Sequence, residues 1–319
     1  MGYALFGVDF APHMVVYIIS FAALLTGSIT DLKTREVPDW VNYGLIFSGV
    51  LVNALLTFIL PGQILVEEAT YNNLAYSQYI ISSQSYLIGS ILGLAIFFGI
   101  AYIMFYAGQW GGGDSKILMG LGAMIGIGAG SIGRQFLTGF FINSLFVGAA
   151  YGLLWSFFLV FNHKKKFICE FKRILSADNV VKAKKLMLAA LFFLLMSFFF
   201  IGAIYAKIAV LSFTFLILAA FYLWIFIKAV EKSCMQKLVE PAKLTEGDWI
   251  VNDVYAGRHY ICGPKDLGIS KSQIRKLIQL YRQRKVKKIL IKEGVPFVPS
   301  FFIAYILTMI TGNPLYGLL

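Results

Sequence analysis

Apolar runs long enough to cross a bilayer, or nearly so, recur along this chain at about 12–30, 41–60, 85–107, 115–130, 138–161, 186–206, 208–228 and 296–312. Each reads as a membrane helix. The fourth and eighth are short, which fits a tilted, partly buried or re-entrant segment. The sixth and seventh are parted only by Lys207 and its neighbours, as in a tight hairpin or one long helix followed by a fragment. Between Lys228 and Lys292 charge becomes frequent, marking one soluble insertion of roughly 65 residues, near the lower size limit for independent folding. Within it Ser270 is placed to cap a helix over Gln273 to Lys285, and Lys287 to Lys292 alternates in the manner of a short strand. The expected fold is an all-α polytopic membrane protein with about eight apolar segments and six to eight crossings, carrying a small mixed α/β cytoplasmic lobe. Residues 1–228 would form the membrane core, 229–295 the lobe and 296–319 a C-terminal membrane segment.

Composition agrees. With 59% hydrophobic and 14% charged residues among 319, and a mean hydropathy of +0.75, this is not an ordinary soluble chain. The net charge of +12 would suit a nucleic-acid binder, but basic excess in a membrane protein sets topology, and no nucleic-acid partner is expected. Cys169, Cys234 and Cys262 form no CxxC pair, and His13, His163 and His259 are equally scattered. Neither a disulfide framework nor a metal site is expected. Met1 to His13 holds no Lys or Arg, so no secretory signal is expected and the first apolar segment reads as retained.

Charge also sets orientation. Placing the 31–40 loop in the cytoplasm and alternating from there puts 31–40, 108–116, 162–185 and 228–295 on that side. These stretches hold 26 of the 28 Lys and Arg residues, leaving Arg134 and Lys207 elsewhere. The 61–84 loop carries Glu67 and Glu68 and no basic residue. The bias supports eight crossings of the cytoplasmic membrane with both termini outside. The basic 162–185 stretch serves as a topology signal and could also bind anionic lipid headgroups.

One acid stands out against this background. Asp114, behind Gly111, Gly112 and Gly113, is the only acidic residue between Glu68 and Glu170, and it sits at the edge of an apolar segment. A carboxylate there is costly and reads as functional. The plain alternative is a glycine bend with a capping aspartate. The spacing is not that of a nucleotide loop. Asp31 ends an earlier apolar segment and, by the same counting, lies on the same side at similar depth. Two facing carboxylates cannot both ionise cheaply, so one holds a proton while the other takes one from water. That is aspartic-protease chemistry, which needs neither metal nor cofactor. The glycines would let an extended substrate backbone approach Asp114.

Asp31-Leu32-Lys33-Thr34-Arg35-Glu36-Val37-Pro38-Asp39-Trp40 and Gly111-Gly112-Gly113-Asp114 together resemble the two motifs of archaeal type IV prepilin peptidases, close to the preflagellin (prearchaellin) peptidases. These belong to the Gly-x-Gly-Asp membrane aspartyl proteases. The resemblance covers about residues 15–160 and extends more weakly through Glu246 to Trp249 and Gly294 to Pro299. It implies that Asp31 and Asp114 are catalytic. It also implies removal of short basic leaders from type IV pilin-like or archaellin precursors, with the cut on the cytoplasmic side. Bacterial relatives often carry a cysteine-rich domain and methylate the new N-terminus. The lack of a CxxC pair and the ten-residue 31–40 loop imply no methyltransferase activity here.

Two finer expectations follow. Glu36 and Asp39 could hold the basic leader, or simply balance Lys33 and Arg35 in a solvated loop. Pro296-Phe297-Val298-Pro299 resembles in placement the proline-bearing motif near the active site of presenilin-like proteases. It could line the substrate cleft, or serve as a helix entry with Pro in the first position. A signal-peptide-peptidase-like enzyme is disfavoured because Thr30-Asp31-Leu32 stands where those enzymes have Tyr-Asp. A proton-coupled transporter is disfavoured by the lack of acids at mid-membrane depth and of a repeated half. A non-catalytic assembly factor for filaments stays open.

Overall fold

A computed structural model describes residues 10–59, 65–71, 74–80, 86–127 and 131–314. The ends of the chain, expected outside, lie beyond the described residues. Six helices are long and apolar enough to cross a membrane: α1 (Phe10–Thr34), α2 (Asp39–Ile59), α3 (Tyr86–Tyr106), α5 (Ser131–Asn162), α7 (Asp178–Phe200) and α8 (Ile204–Cys234). The protein is a multi-pass membrane protein. Helices α4 (Gly112–Ile125) and α10 (Val298–Thr311) have 14 residues each. At about 1.5 Å per residue they reach roughly 21 Å, short of a hydrocarbon core of about 30 Å. The two segments read as short are therefore the two that do not span on their own. Ile201 to Ala203 separate α7 from α8, which resolves the 186–228 stretch as two helices. One element was not expected: β1 (Leu65–Tyr71) and β2 (Leu74–Ile80) pair antiparallel, with Leu65 opposite Ile80.

The chain divides into two units, one reaching Gly152 and resuming at Gly294, the other Leu153–Glu293. In the first, α4 is the core. Its Ile117, Leu118, Leu121 and Met124 are fully buried, and α1, α2 and α3 pack around it. Glycines allow the close approach. A Cβ on Gly49 of α2 would come within 2.6 Å of the Met124 nitrogen. Gly93 of α3 and Gly122 of α4 face each other so tightly that a Cβ on either would strike the other's carbonyl. Helix α4 ends inside this apolar surround at Gly126, whose φ of +68° breaks it. Its last carbonyls need donors, because no water serves them there. Asn53 of α2 donates to Met124 O at 2.9 Å and Ala123 O at 3.3 Å, and Ser90 of α3 donates to Ala123 O at 2.6 Å.

The second unit holds α7, α8 and the short helix α6 (Lys164–Leu175), followed by the lobe. The boundary expected at 228 falls inside α8, which continues to Cys234 and leaves Met235 alone before β3 (Gln236–Val239). Strands β3, β7 (Ile289–Lys292) and β4 (Trp249–Ile250) form an antiparallel sheet in that order, and β5 (Val254–Ala256) pairs with β6 (His259–Cys262). Helix α9 (Lys271–Arg282) buries Leu277 against Ile269, Ile289 and Ile291. Ser270 caps it as read from sequence, with Gln273 completing a reciprocal capping pair.

Candidate active site

Asp31 occupies the last turn of α1 and is only 6% exposed. A carboxylate at a helix C-terminus meets an unfavourable dipole. Here a second helix offsets it. Asp31 Oδ2 accepts the backbone N–H of Val298, the first residue of α10, at 3.0 Å, and the Phe297 N–H also serves this carboxyl. The start of α10 thus supplies the partial positive charge that the end of α1 lacks. Arg35 follows in a left-handed conformation, φ +60°, that turns the chain out of α1. Its guanidinium acts electrostatically on Asp31, and Nη1 donates to the Gly294 carbonyl.

Asp114 is the third residue of α4. Its Oδ2 accepts the Gly111 N–H at 3.0 Å, closing the first turn of its own helix. It thus serves the helix start from the third position, with Gly111 and not Asp114 as the N-cap. It does not stand alone, because Asp31 lies within electrostatic reach of Asp114. Packing of α1 on α4 brings this about: a Cβ on Gly27 would meet Ile117 Cδ1 at 2.8 Å and Val298 Cγ1 at 3.3 Å.

The three glycines differ in their surroundings. Gly113 packs on the loop after α1, where an added Cβ would sit 3.2 Å from Val37 Cγ2. Gly111 faces Asp114 Oδ2 at 3.3 Å. Gly112 is exposed, and a Cβ there would meet only Phe105 Cε2, at 3.9 Å. Of the three, Gly112 alone is exposed with space beside it, while Gly113 is used for packing.

Beside the acids lies an aromatic wall. Trp110, buried just before the glycines, sets its ring edge-on to Phe301 at 5.4 Å and 6.2 Å from Phe297. Phe297 also closes on Gly148 of α5, where a Cβ would approach Cζ to 2.6 Å. Pro296 is buried, and Pro299 takes the second position of α10 rather than the first. Tyr151 of α5 lies within electrostatic reach of Asp31. Glu36 and Asp39 are both exposed. Asp39 opens α2 and pairs with Lys116 Nζ at 2.7 Å, and the same ammonium sits 5.0 Å above the Tyr43 ring. Among the described residues no group of three or more His, Cys, Asp or Glu is placed to hold a metal ion.

Sequence reasoning missed Val298, Arg35, Val37 and Lys116. Val298 acts through its backbone, which carries no residue signature. Arg35 and Lys116 lie within four residues of an aspartate each, and that proximity was the available signal.

Comparison with known proteins meets this geometry at the two acids. Residues 18–153, which include Asp31 and Asp114, match the type IV leader peptidase family. The chain is similar to the preflagellin peptidase of Methanocaldococcus jannaschii, 34% identical over 112 residues, covering 35% of this chain and 38% of the relative. It is similar to the preflagellin peptidases of Methanococcus voltae (36% identical) and Methanococcus maripaludis (35% identical), each time over 35% of this chain and 39% of the relative. The match thus spans less than two fifths of the length of these curated relatives. No solved structure matches the chain.

Proposed function

We propose that this protein is a membrane aspartic endopeptidase that removes basic leader peptides from type IV prepilin-like or prearchaellin precursors, at the cytoplasmic face of the membrane. The observation that carries the reading is that Asp31 at the end of α1 and Asp114 at the start of α4 lie within electrostatic reach of each other. Both lie inside the stretch that matches leader peptidases. The relatives' preflagellin peptidase activity supports the substrate class, and the side holding 26 of 28 basic residues supports the face.

The chemistry follows from the pair. Of two neighbouring carboxyls one stays ionised and the other keeps its proton. Asp31, with the start of α10 and Arg35 beside it, is better placed to carry the charge. It takes a proton from water as the water attacks the scissile carbonyl. Asp114 gives its proton to the carbonyl oxygen, and a tetrahedral diol forms. Collapse breaks the C–N bond as Asp31 passes its proton to the leaving amine and Asp114 takes one back from a diol hydroxyl, which restores the starting pair. The exposed edge at Gly112 gives an extended backbone access to Asp114, and Glu36 is an exposed acid for the basic leader.

The test is a cleavage assay on the reconstituted chain with a precursor bearing a basic leader. The parent shortens the precursor, whereas Asp31→Asn and Asp114→Asn do not. Cleavage surviving in either variant would end the two-aspartate mechanism.

A further inference from the structure

Helix α6 is left unused by leader cleavage. It runs between the ends of α5 at Asn162 and α7 at Asp178, so both of its ends are tied to apolar helices. Phe167, Phe171 and Ile174 on one stripe pack with Phe221, Ile225 and Ala229 of α8. The opposite face is exposed and carries Lys165, Lys166 and Lys172 around Cys169. Residues three and four apart share a helix face, which puts Cys169 in the middle of these cations.

Cation–aromatic pairs mark where this unit meets the membrane surfaces. Lys207 Nζ lies 5.1 Å from the Phe198 ring centre at the α7–α8 turn, and Lys228 Nζ lies 4.2 Å from that of Trp224. Lysines that reach out of apolar helices and tryptophans beside them settle at the headgroup level. From Lys207 to Lys228 α8 rises about 32 Å, close to the thickness of a hydrocarbon core. Because α6 packs on the Phe221 to Ala229 stretch, it lies at the Lys228 surface. Lys164 Nζ, 5.0 Å from the Phe161 ring centre, repeats the same anchor at the end of α5.

We propose that the outer face of α6, with Lys182 and Lys185 in the first turns of α7, is a docking surface for anionic phospholipid headgroups. The charges complement. Arg173 is neutralised by Glu170 at 3.3 Å, but the five lysines form no ion pair with any described carboxylate. They stand where lipid phosphates lie, inside the roughly 10 Å over which such attraction acts at 0.1 M salt. Exposed Ile168 beside them can dip into the acyl boundary, as interfacial amphipathic helices do. The surface is independent of whether the chain cleaves leaders.

The test uses the full chain carrying Cys234→Ser, with a polarity-sensitive fluorophore on Cys169, in lipid discs. Discs expose both leaflets, so a role in insertion topology is not read. Quenching by neutral acrylamide should fall at least about threefold in discs with roughly one third anionic lipid relative to zwitterionic discs, and recover at about 0.5 M salt. The Lys165→Gln, Lys166→Gln, Lys172→Gln variant should show no such difference. Equal quenching of the parent in both discs would overturn the proposal. So would protection that requires added polyglutamate and not anionic lipid, which would assign the face to an acidic polypeptide.

Discussion

Asp31 Oδ2 accepts the backbone N–H of Val298 at 3.0 Å, joining the end of the first helix to the start of the last. The donor can be removed without touching either acid. Val298→Pro deletes the N–H at the first position of α10, where proline is tolerated, although Phe297 must shift toward extended backbone. A hydrogen bond to a charged group contributes about 1.5–3 kcal/mol, so kcat should fall roughly tenfold to a hundredfold. Val298→Ala keeps the donor and should stay within about threefold of the parent. Paired cleavage rates, with thermal unfolding to confirm the fold, check this. A Val298→Pro chain that cleaves at the parental rate would show that α10 holds Asp31 for packing alone.

The glycines before Asp114 separate folding from access. Gly113→Ala would press its Cβ against Val37 and should destabilise by about 1–2 kcal/mol, seen as a lower Tm in detergent. Adding Val37→Ala should recover most of that loss. Gly112→Ala would make only an ordinary contact with Phe105 and should leave the Tm alone. If the substrate backbone passes there, kcat/KM falls in Gly112→Ala without any loss of stability. Equal kcat/KM for Gly112→Ala and the parent would remove this edge from the substrate path.

How much of this was legible follows from range. Long apolar runs are local, so α1, α2, α3, α5, α7 and α8 could be read from hydropathy alone. Helix α4 was readable as a short segment, but its end at Gly126 depends on a positive φ that hydropathy does not encode. The amphipathic period of Phe167, Phe171 and Ile174 was present in the sequence, yet the run of lysines masked it as a basic loop. The β1–β2 hairpin lies in a stretch without strong alternation. At the site both acids could be named from sequence. The partner of Asp31 could not, because Val298 reaches it only through tertiary packing.

The ion pair between Lys116 and Asp39 allows the proposed leader binding to be tested. Asp39 is exposed and Lys116 partly so, and their ion pair should add no more than about 1 kcal/mol to stability. If Asp39 receives a basic leader, Lys116 competes with it. Lys116→Gln should then lower KM for a basic-leader precursor by a few-fold, and Asp39→Asn should raise it, with kcat little changed and both effects fading at high salt. KM values for precursors with lysine and glutamine leaders measure this. Identical values for all three chains would confine Asp39 to its contact with Lys116.

Cysteine chemistry reports on the lobe. Burial pushes the Cys262 thiol up to about 11, with Asp266 adding to the shift. At pH 8 an ordinary thiol near 9 is about one tenth thiolate, whereas one at about 11 is roughly one part in a thousand. Iodoacetamide should therefore modify Cys262 hardly at all until the lobe unfolds, whereas Cys169 is exposed to the reagent throughout. The sign for stability follows. The folded lobe holds this proton more tightly than the unfolded chain, so its contribution is complete below the ordinary value near 9 and is lost as pH rises toward about 11. Mass mapping of alkylated peptides across that range checks both statements, and rapid alkylation of Cys262 in the folded lobe at pH 8 would contradict them.

The far end of α4 is held by two polar side chains. The helix that carries Asp114 stops inside apolar surroundings, and Asn53 and Ser90 serve its last carbonyls. Asn53→Leu keeps the volume but removes the donor, leaving Met124 O unserved at a cost of about 1–3 kcal/mol. Ser90→Ala should cost about 1 kcal/mol, and because both donors serve Ala123 O the two changes should not add. Asn53→Asp is the sharper variant. It replaces a donor by an acceptor facing two carbonyls, so it should unfold the first unit more readily than the leucine change. Thermal unfolding of the four chains in one detergent gives the cycle, and additive losses would mean that the two donors hold α4 independently.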